Sequence, residues 1–250
     1  MDEAYRHAAE LIRNAKRIVA FTGSGISAES GIPTYRGAGG IWSEYDPDKY
    51  ANIDYFMHDP TYYWSFFRDV RYDKLVKSEP NRAHTALAEL EKDRALTDVI
   101  TQNIDGLHQA AGSGRVIELH GNTRIIICLD CGAEYHYEDV RRQVEKEMPP
   151  KCTKCSGLLK PKVVFFGEGL PADALQGAAE ASGSCDLFIV VGSSLVVYPA
   201  AGFPVMAKQN GAKLIVINLG ETGMEGIEDV RIDEKATVAF DSIMSQLKSA

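Results

Sequence analysis

The chain has 250 residues, 45% hydrophobic and 25% charged, enough for one soluble domain or one domain carrying a small insertion. Thirty-five acidic against 27 basic residues leave a formal charge of −8, which argues against wrapping nucleic acid by bulk electrostatics. No apolar run reaches the length of a membrane span and the N-terminus is polar, so a cytoplasmic protein with no membrane partner is expected.

In chain order, Ala8, Leu11, Ile12 and Ala15 fall at helical spacing and predict an amphipathic helix over residues 3–16. Arg17 to Thr22 (RIVAFT) reads as a short buried strand, followed at once by Gly23-Ser24-Gly25 and a helix start. Residues 35–81 change character. They are rich in Tyr, Phe, Trp and Asp and punctuated by Pro47, Pro60 and Pro80, as expected of short helices and loops off the main sheet. The aromatics there, Tyr45 through Phe67, read as a local hydrophobic core rather than a stacking surface. Asn81 looks like an N-cap for a helix burying Ala83, Ala86, Leu87 and Leu90. Strands are predicted at 96–101, 116–119, 187–191 and 214–218, and helices at 200–209 and 237–248. Near-continuous apolar strands alternating with helices imply an α/β fold, a parallel sheet with helices on both faces.

Four of the five cysteines lie in an insert at 123–160. Cys128-x2-Cys131 and Cys152-x2-Cys155, 20 residues apart, have the spacing of a zinc ribbon. Four thiolates close a tetrahedral ion with no position left for water, so the expected role is structural: folding a small insert with little core of its own. Two redox dithiols are the competing reading. Cys185 reads as a small buried apolar residue.

Gly23-Ser24-Gly25-Ile26-Ser27-Ala28 fits the G-x-G-x-x-G/A turn that can hold a pyrophosphate on free amides. The usual acid for a ribose, about 20 residues on, is absent. Gly192-Ser193-Ser194 and Asn218 stand at the ends of later strands, where ligands of open α/β sheets sit. Gln102-Asn103-Ile104-Asp105, His108 and His120 also follow strands. Singly they read as turn formers or structural histidines; gathered along one sheet edge, a histidine has the right ordinary pKa for proton abstraction.

These stretches together resemble the sirtuin family of NAD-dependent protein lysine deacylases, most of all its bacterial and archaeal members. The resemblance rests on Gly23-Ser24-Gly25-Ile26-Ser27-Ala28-Glu29-Ser30-Gly31-Ile32-Pro33 continuing to Arg36, Thr101-Gln102-Asn103-Ile104-Asp105, and Leu119-His120-Gly121. The cysteine knuckles, Val164-Phe165-Phe166-Gly167-Glu168 and Gly192-Ser193-Ser194 complete it in the family's order. It implies a Rossmann-like NAD-binding domain (1–38, 82–122 and 161–250) and a small domain made of a helical module (39–81) and a zinc module (123–160). NAD and an acyl-lysine peptide would enter the cleft between them from opposite sides.

By the same resemblance, Gly23, Ser24, Gly25, Ser27, Ala28, Tyr35 and Arg36 line the NAD site. Gln102, Ile104 and Asp105 surround the nicotinamide and its ribose, with Asn103 helping to orient that ribose or a water. Gly192, Ser193, Asn218, Leu219 and Ala236 hold the adenosine half. A strand over Lys162–Phe166 (Val163, Val164, Phe165, Phe166), with Gly167 and Glu168, pairs with substrate backbone, and Leu195 to Val197 lie on its other side. The implied reaction starts with attack of the acyl oxygen on the ribose as nicotinamide leaves, giving an alkylimidate. His120 then acts as general base, and the products are nicotinamide, free lysine and 2′-O-acyl-ADP-ribose.

Ser24 replaces the family's common alanine, and Tyr35 its usual phenylalanine. Members preferring succinyl or malonyl groups carry a Tyr-x-x-Arg pair after the tryptophan matched by Trp64. Counting from Trp64 gives Phe67 and Val70, a one-residue gap gives Arg68 and Arg71, and neither offers the tyrosine. Uncharged acyl groups are expected. The rival readings are an ADP-ribosyltransferase using the same NAD site and a non-catalytic NAD sensor or zinc-ribbon adaptor. A nucleic-acid-binding ribbon lacks a convincing basic face, despite Arg141, Arg142, Lys146, Lys151 and Lys154.

Overall fold

Apolar runs buried on both sides set the strands of the main sheet. The computed structural model describes residues 2–37 and 39–248. Among them the strands are, in chain order, β1 Ile18–Thr22, β2 Leu96–Thr101, β3 Val116–Glu118, β4 Gly121–Cys128, β5 Glu134–His136, β6 Leu159–Val163, β7 Leu187–Val191, β8 Lys213–Ile217 and β9 Val230–Ile232. The chain divides into two compact units. Met1–Ile32, Glu79–Leu119 and Ala172–Ala250 make a sheet unit; Pro33–Ser78 and His120–Pro171 make a smaller unit.

The sheet unit carries six parallel strands in the order β3-β2-β1-β7-β8-β9. Numbered within that sheet alone, this is the doubly wound 3-2-1-4-5-6 order. Every residue of β1 and β7 is buried, as a sheet covered on both faces requires. One covering layer is the helices Asp2–Asn14, Arg82–Asp93 and Ala236–Lys248, whose Ile12, Leu87, Leu90, Phe240 and Ile243 join Ile18, Ala20 and Ile189 in one core. Helices Ala172–Ser184 and Gly202–Gln209 pack on each other, the second also on β7 and β8. The first helix stops at Asn14, two residues earlier than its apolar spacing suggests. The amides of Lys16 and Arg17 turn instead to the Asp186 carboxylate, at 2.8 and 2.9 Å.

In the smaller unit β4 pairs antiparallel with β5 on one side and β6 on the other. The aromatic-rich segment makes a core as expected, and that core is shared with the zinc insert. Trp64 is fully buried and its indole N–H donates to the Leu159 carbonyl at 3.1 Å. Phe56 and Tyr63 pack on Phe165, and Phe67 on Tyr137. The strand expected over Lys162–Phe166 is shifted: regular pairing ends at Val163, and Phe166 instead makes an isolated parallel bridge to Asn52. Because β6 is bonded to β4, residues 161–171 group with the smaller unit rather than with the parallel sheet. Among the described residues no helix is long and apolar enough to cross a membrane.

Candidate functional site

In the sheet unit the polar residues singled out by sequence collect at the carboxyl ends of β1, β2, β7 and β8. The glycine turn after β1 packs directly on the turn after β7. Gly23 N–H donates to Val191 O at 3.0 Å and Gly25 N–H to Gly192 O at 2.8 Å. Gly192 has φ 61°, and a Cβ there would lie 2.3 Å from the Ile26 nitrogen, so only glycine lets the two backbones approach. This junction between β1 and β7 is where strand order reverses, the usual ligand crevice of a doubly wound sheet. The turn continues as a 3-10 helix, Ser24–Ser30, rather than an α-helix.

Next to it lies a buried hydrogen-bond cluster. The Asn103 side-chain amide donates to Gly23 O and to Ser27 Oγ, both at 3.1 Å. Ser27 Oγ in turn donates to Asp105 Oδ2 at 2.8 Å. The backbone N–H of Asn81 reaches His84 Nδ1 at 3.3 Å, so the ring proton sits on Nε2, which faces Ser27 Oγ at 3.4 Å. Behind it, His108 Nε2 lies 2.8 Å from Thr22 Oγ1, itself a donor to Thr101. Burial pulls His84 down to about 4; burial, aided by His84, pulls His108 down to about 3, so both are neutral at pH 7. The Gln102 amide donates to Ser193 Oγ at 2.9 Å. Ser193 and Asn218 are buried, whereas Ser24 is half-buried and Ala28 and Leu219 are exposed. Ala236 opens the last helix, whose Thr237 donates to Glu29 of the glycine turn. Leu195 is buried, with φ 55°; Val196, inside the expected Leu195–Val197 stretch, and Tyr198, which sequence did not single out, carry that segment's exposed surface, with Val197 half-buried.

The donor set of this edge fits a dinucleotide: a glycine junction for close backbone approach, buried amides and hydroxyls from four strand ends, and one carboxylate.

In the smaller unit the four sulfurs of Cys128, Cys131, Cys152 and Cys155 lie within 4.8 Å of one another. Cys128–Cys155 and Cys131–Cys152 are 3.5 and 3.7 Å apart, beyond any disulfide bond. Four thiolates at the usual zinc–sulfur distance stand about 3.8 Å apart on a tetrahedron. The quartet therefore fits zinc. A hydrogen bond from Tyr135 pulls Cys152 down to about 6, toward the thiolate. Cys155 is pushed up to about 12: the Gly157 amide favours its thiolate, but the hydrogen bonds with Cys131 and Cys128 prevail. A dication removes that conflict, because it favours all four thiolates at once.

His120 is half-buried at the start of β4, and its carbonyl accepts from Val164 N–H at 2.9 Å. Arg36 is exposed and Tyr35 half-buried, its hydroxyl accepting from Arg71 at 2.9 Å with the guanidinium over its ring. Phe67–Tyr72 is a π-helical turn, which absorbs one extra residue. Both candidate registers counted from Trp64, Phe67 with Val70 and Arg68 with Arg71, fall inside that turn. Arg71 is buried against Tyr35, while Arg68 pairs with Asp69. Val163 and Phe165 are buried, Val164 and Glu168 half-buried, and Phe166 and Gly167 exposed. Sequence reasoning missed His84 and Lys160, and raised Arg71 only as one of two registers after Trp64. Only His84 left a signal, three residues after the N-cap Asn81.

A doubly wound sheet with this glycine junction, joined in one chain to a four-cysteine zinc module, defines a class of dinucleotide-dependent enzymes. The Sir2 family model matches residues 23–199. A relative from Archaeoglobus fulgidus, an NAD-dependent protein deacylase, is 48% identical over 99% of this chain and 98% of its own. A solved complex of Sir2 with a p53 peptide and NAD+ superposes with a TM-score of 0.91, at 39% identity over 98% of both chains. Another Sir2 complex holds a deacetylated p53 peptide and 3′-O-acetyl ADP ribose. It superposes with a TM-score of 0.93, at 40% identity over 96% of this chain and 97% of that one. The chain belongs to the Sir2 (sirtuin) family.

Proposed function

We propose that the protein is an NAD-dependent protein lysine deacylase, releasing nicotinamide, free lysine and an O-acyl-ADP-ribose. The Asn103–Ser27–Asp105 cluster at the glycine junction, with Asn103 and Ser27 buried and Asp105 half-buried, carries the reading: a mutually hydrogen-bonded amide, hydroxyl and carboxylate set is a preorganised polar site. When bound, NAD supplies an electrophilic sugar carbon with nicotinamide as its leaving group. Asp105 receives the nicotinamide carboxamide, while Gln102 and Ile104 enclose that end. Asn103 and Ser27 orient the ribose, and Gly192, Ser193, Asn218, Leu219 and Ala236 hold the adenosine end. Gly23, Ser24, Gly25, Ala28, Tyr35 and Arg36 serve the phosphates and the reacting sugar, with Tyr35 excluding water. His120 would serve as the general base, accepting a proton from a hydroxyl of the bound sugar. Val163–Glu168 and Leu195–Val197 grip the substrate peptide by its backbone, so sequence selectivity is modest. The zinc has no place in the chemistry. A reducing, cytoplasmic compartment keeps its thiolate ligands available, and the net charge of −8 speaks against nucleic acid as partner.

The test is product identity. Incubation with NAD and an acetyl-lysine peptide should yield deacetylated peptide, nicotinamide and acetylated ADP-ribose in equal amounts by mass spectrometry. ADP-ribose attached to peptide or enzyme, without acylated ADP-ribose, would establish a transferase instead.

A further inference from the structure

The segment Val163–Glu168 has no ladder to hold its shape, because β6 stops at Val163. One buried cation takes over that task. The Lys160 side chain is 4% exposed, and its ammonium donates to Val163 O at 2.6 Å and meets Glu168 Oε2 at 2.8 Å. It also lies 4.1 Å from the centroid of the Phe165 ring. Glu168 closes the circuit. Its Oε2 accepts from Phe165 N–H at 2.7 Å, and its own N–H donates to Phe165 O at 3.0 Å. Outside this ring of contacts, Phe166 is fixed by two backbone bonds, N–H to Ala51 O at 2.7 Å and O from Ile53 N–H at 3.0 Å.

Burying an ion pair costs desolvation that a methionine in the same slot would not incur. Stability is thus a weak reason for the charge, and geometry a better one: Lys160 touches the first, third and last residues of the segment.

We propose that Lys160 is a positioning residue for substrate. It fixes the backbone of 163–168 in the shape that pairs with an extended peptide, without itself touching peptide or NAD. This rests on the deacylase reading above. The peptide backbone gains from the clamp; a lone acyl-lysine, with no flanking residues to pair, does not.

The experiment compares the full-length wild type, Lys160→Met, Lys160→Arg and Lys160→Gln on two substrates, an extended acetyl-lysine peptide and a blocked single acetyl-lysine. Lys160→Met should raise the peptide KM about tenfold with kcat little changed, the signature of lost uniform binding. Its kcat/KM on the single residue should stay at the wild-type value, and Lys160→Arg should restore much of the peptide KM. Lys160→Gln, uncharged but still polar, gives the same split should Lys160→Met fail to fold. An equal loss on both substrates, or an unchanged peptide KM, would overturn the inference. A wild type that turns over neither substrate would instead overturn the deacylase reading, and this inference with it.

Discussion

The two compact units reach order by different means. In the sheet unit, five-residue apolar strands are buried between helices, and the chain supplies everything the fold needs. In the smaller unit, a three-stranded sheet with only three residues in β5 cannot do this. A ring of aromatics and four sulfurs around one point take its place. Chemistry is divided along the same line. The sheet unit offers a hydrogen-bonded polar edge with one carboxylate; the smaller unit offers a histidine, a cation on a tyrosine ring, and a backbone segment held by one ion pair. Rigidity written into periodic apolar sequence suits holding a cofactor, and rigidity supplied by a metal and charges suits loops that meet a substrate.

Zinc removal separates the two most sharply. Structural zinc contributes roughly 10–16 kcal/mol in zinc-finger peptides. Chelation, or Cys152→Ser, should abolish hydrogen-exchange protection in β4 to β6 while β1, β7 and β8 stay protected. Simultaneous loss in both units would break the distinction. On the sheet side, Gly192→Ala meets both a positive φ and a backbone clash, and should cost about 2–4 kcal/mol. Gly183, inside a helix with open space around its Cα, is the control: Gly183→Ala should raise stability by about 0.5–1 kcal/mol. Thermal melts of the two variants would decide, and equal shifts would count against the glycine junction.

Acid should weaken the sheet unit through its buried histidines. Their folded values, about 4 for His84 and about 3 for His108, lie below the unfolded value of about 6.5. Below about pH 6.5 the unfolded chain therefore binds protons that the folded chain refuses, and stability falls as pH falls. The contribution is fully present above about pH 6.5 and is lost as pH drops toward about 4 and then about 3. His108→Gln should flatten melting temperature against pH over that window; an unchanged slope would contradict the assignment.

Much of the sheet unit could be read from sequence because burial on both faces leaves unbroken runs such as Leu187–Val191. Two of the elements that escaped show why. The strand β9 is only three residues long, and the helix Ala172–Ser184 is built from alanine, glycine and serine with little apolar contrast between its faces. At the site, strand-end residues such as Asn103, Asp105 and Ser193 were visible because turns after strands concentrate polar residues. Lys160 was not, since it owes its role to a strand that ends early, and Arg71, named only as one register after Trp64, owes its contact to Tyr35, far along the chain. The π-helical turn at Phe67–Tyr72 contains both counts from Trp64, and the one-residue shift between them is not resolved by counting.

That shift sets the smallest prediction. With no tyrosine at the helical positions, an acetyl peptide should turn over faster than its succinyl twin. The reverse order in steady-state rates would show that Arg71 with Tyr35 reads a carboxylate.

The central claim is the proposed role of His120 as general base. His120→Ala, assayed with NAD and acetyl-lysine peptide beside a direct measurement of NAD binding, tests it most directly. The account predicts turnover reduced by about 10²-fold or more, with NAD affinity largely retained. Near-normal deacetylation by this variant would contradict it.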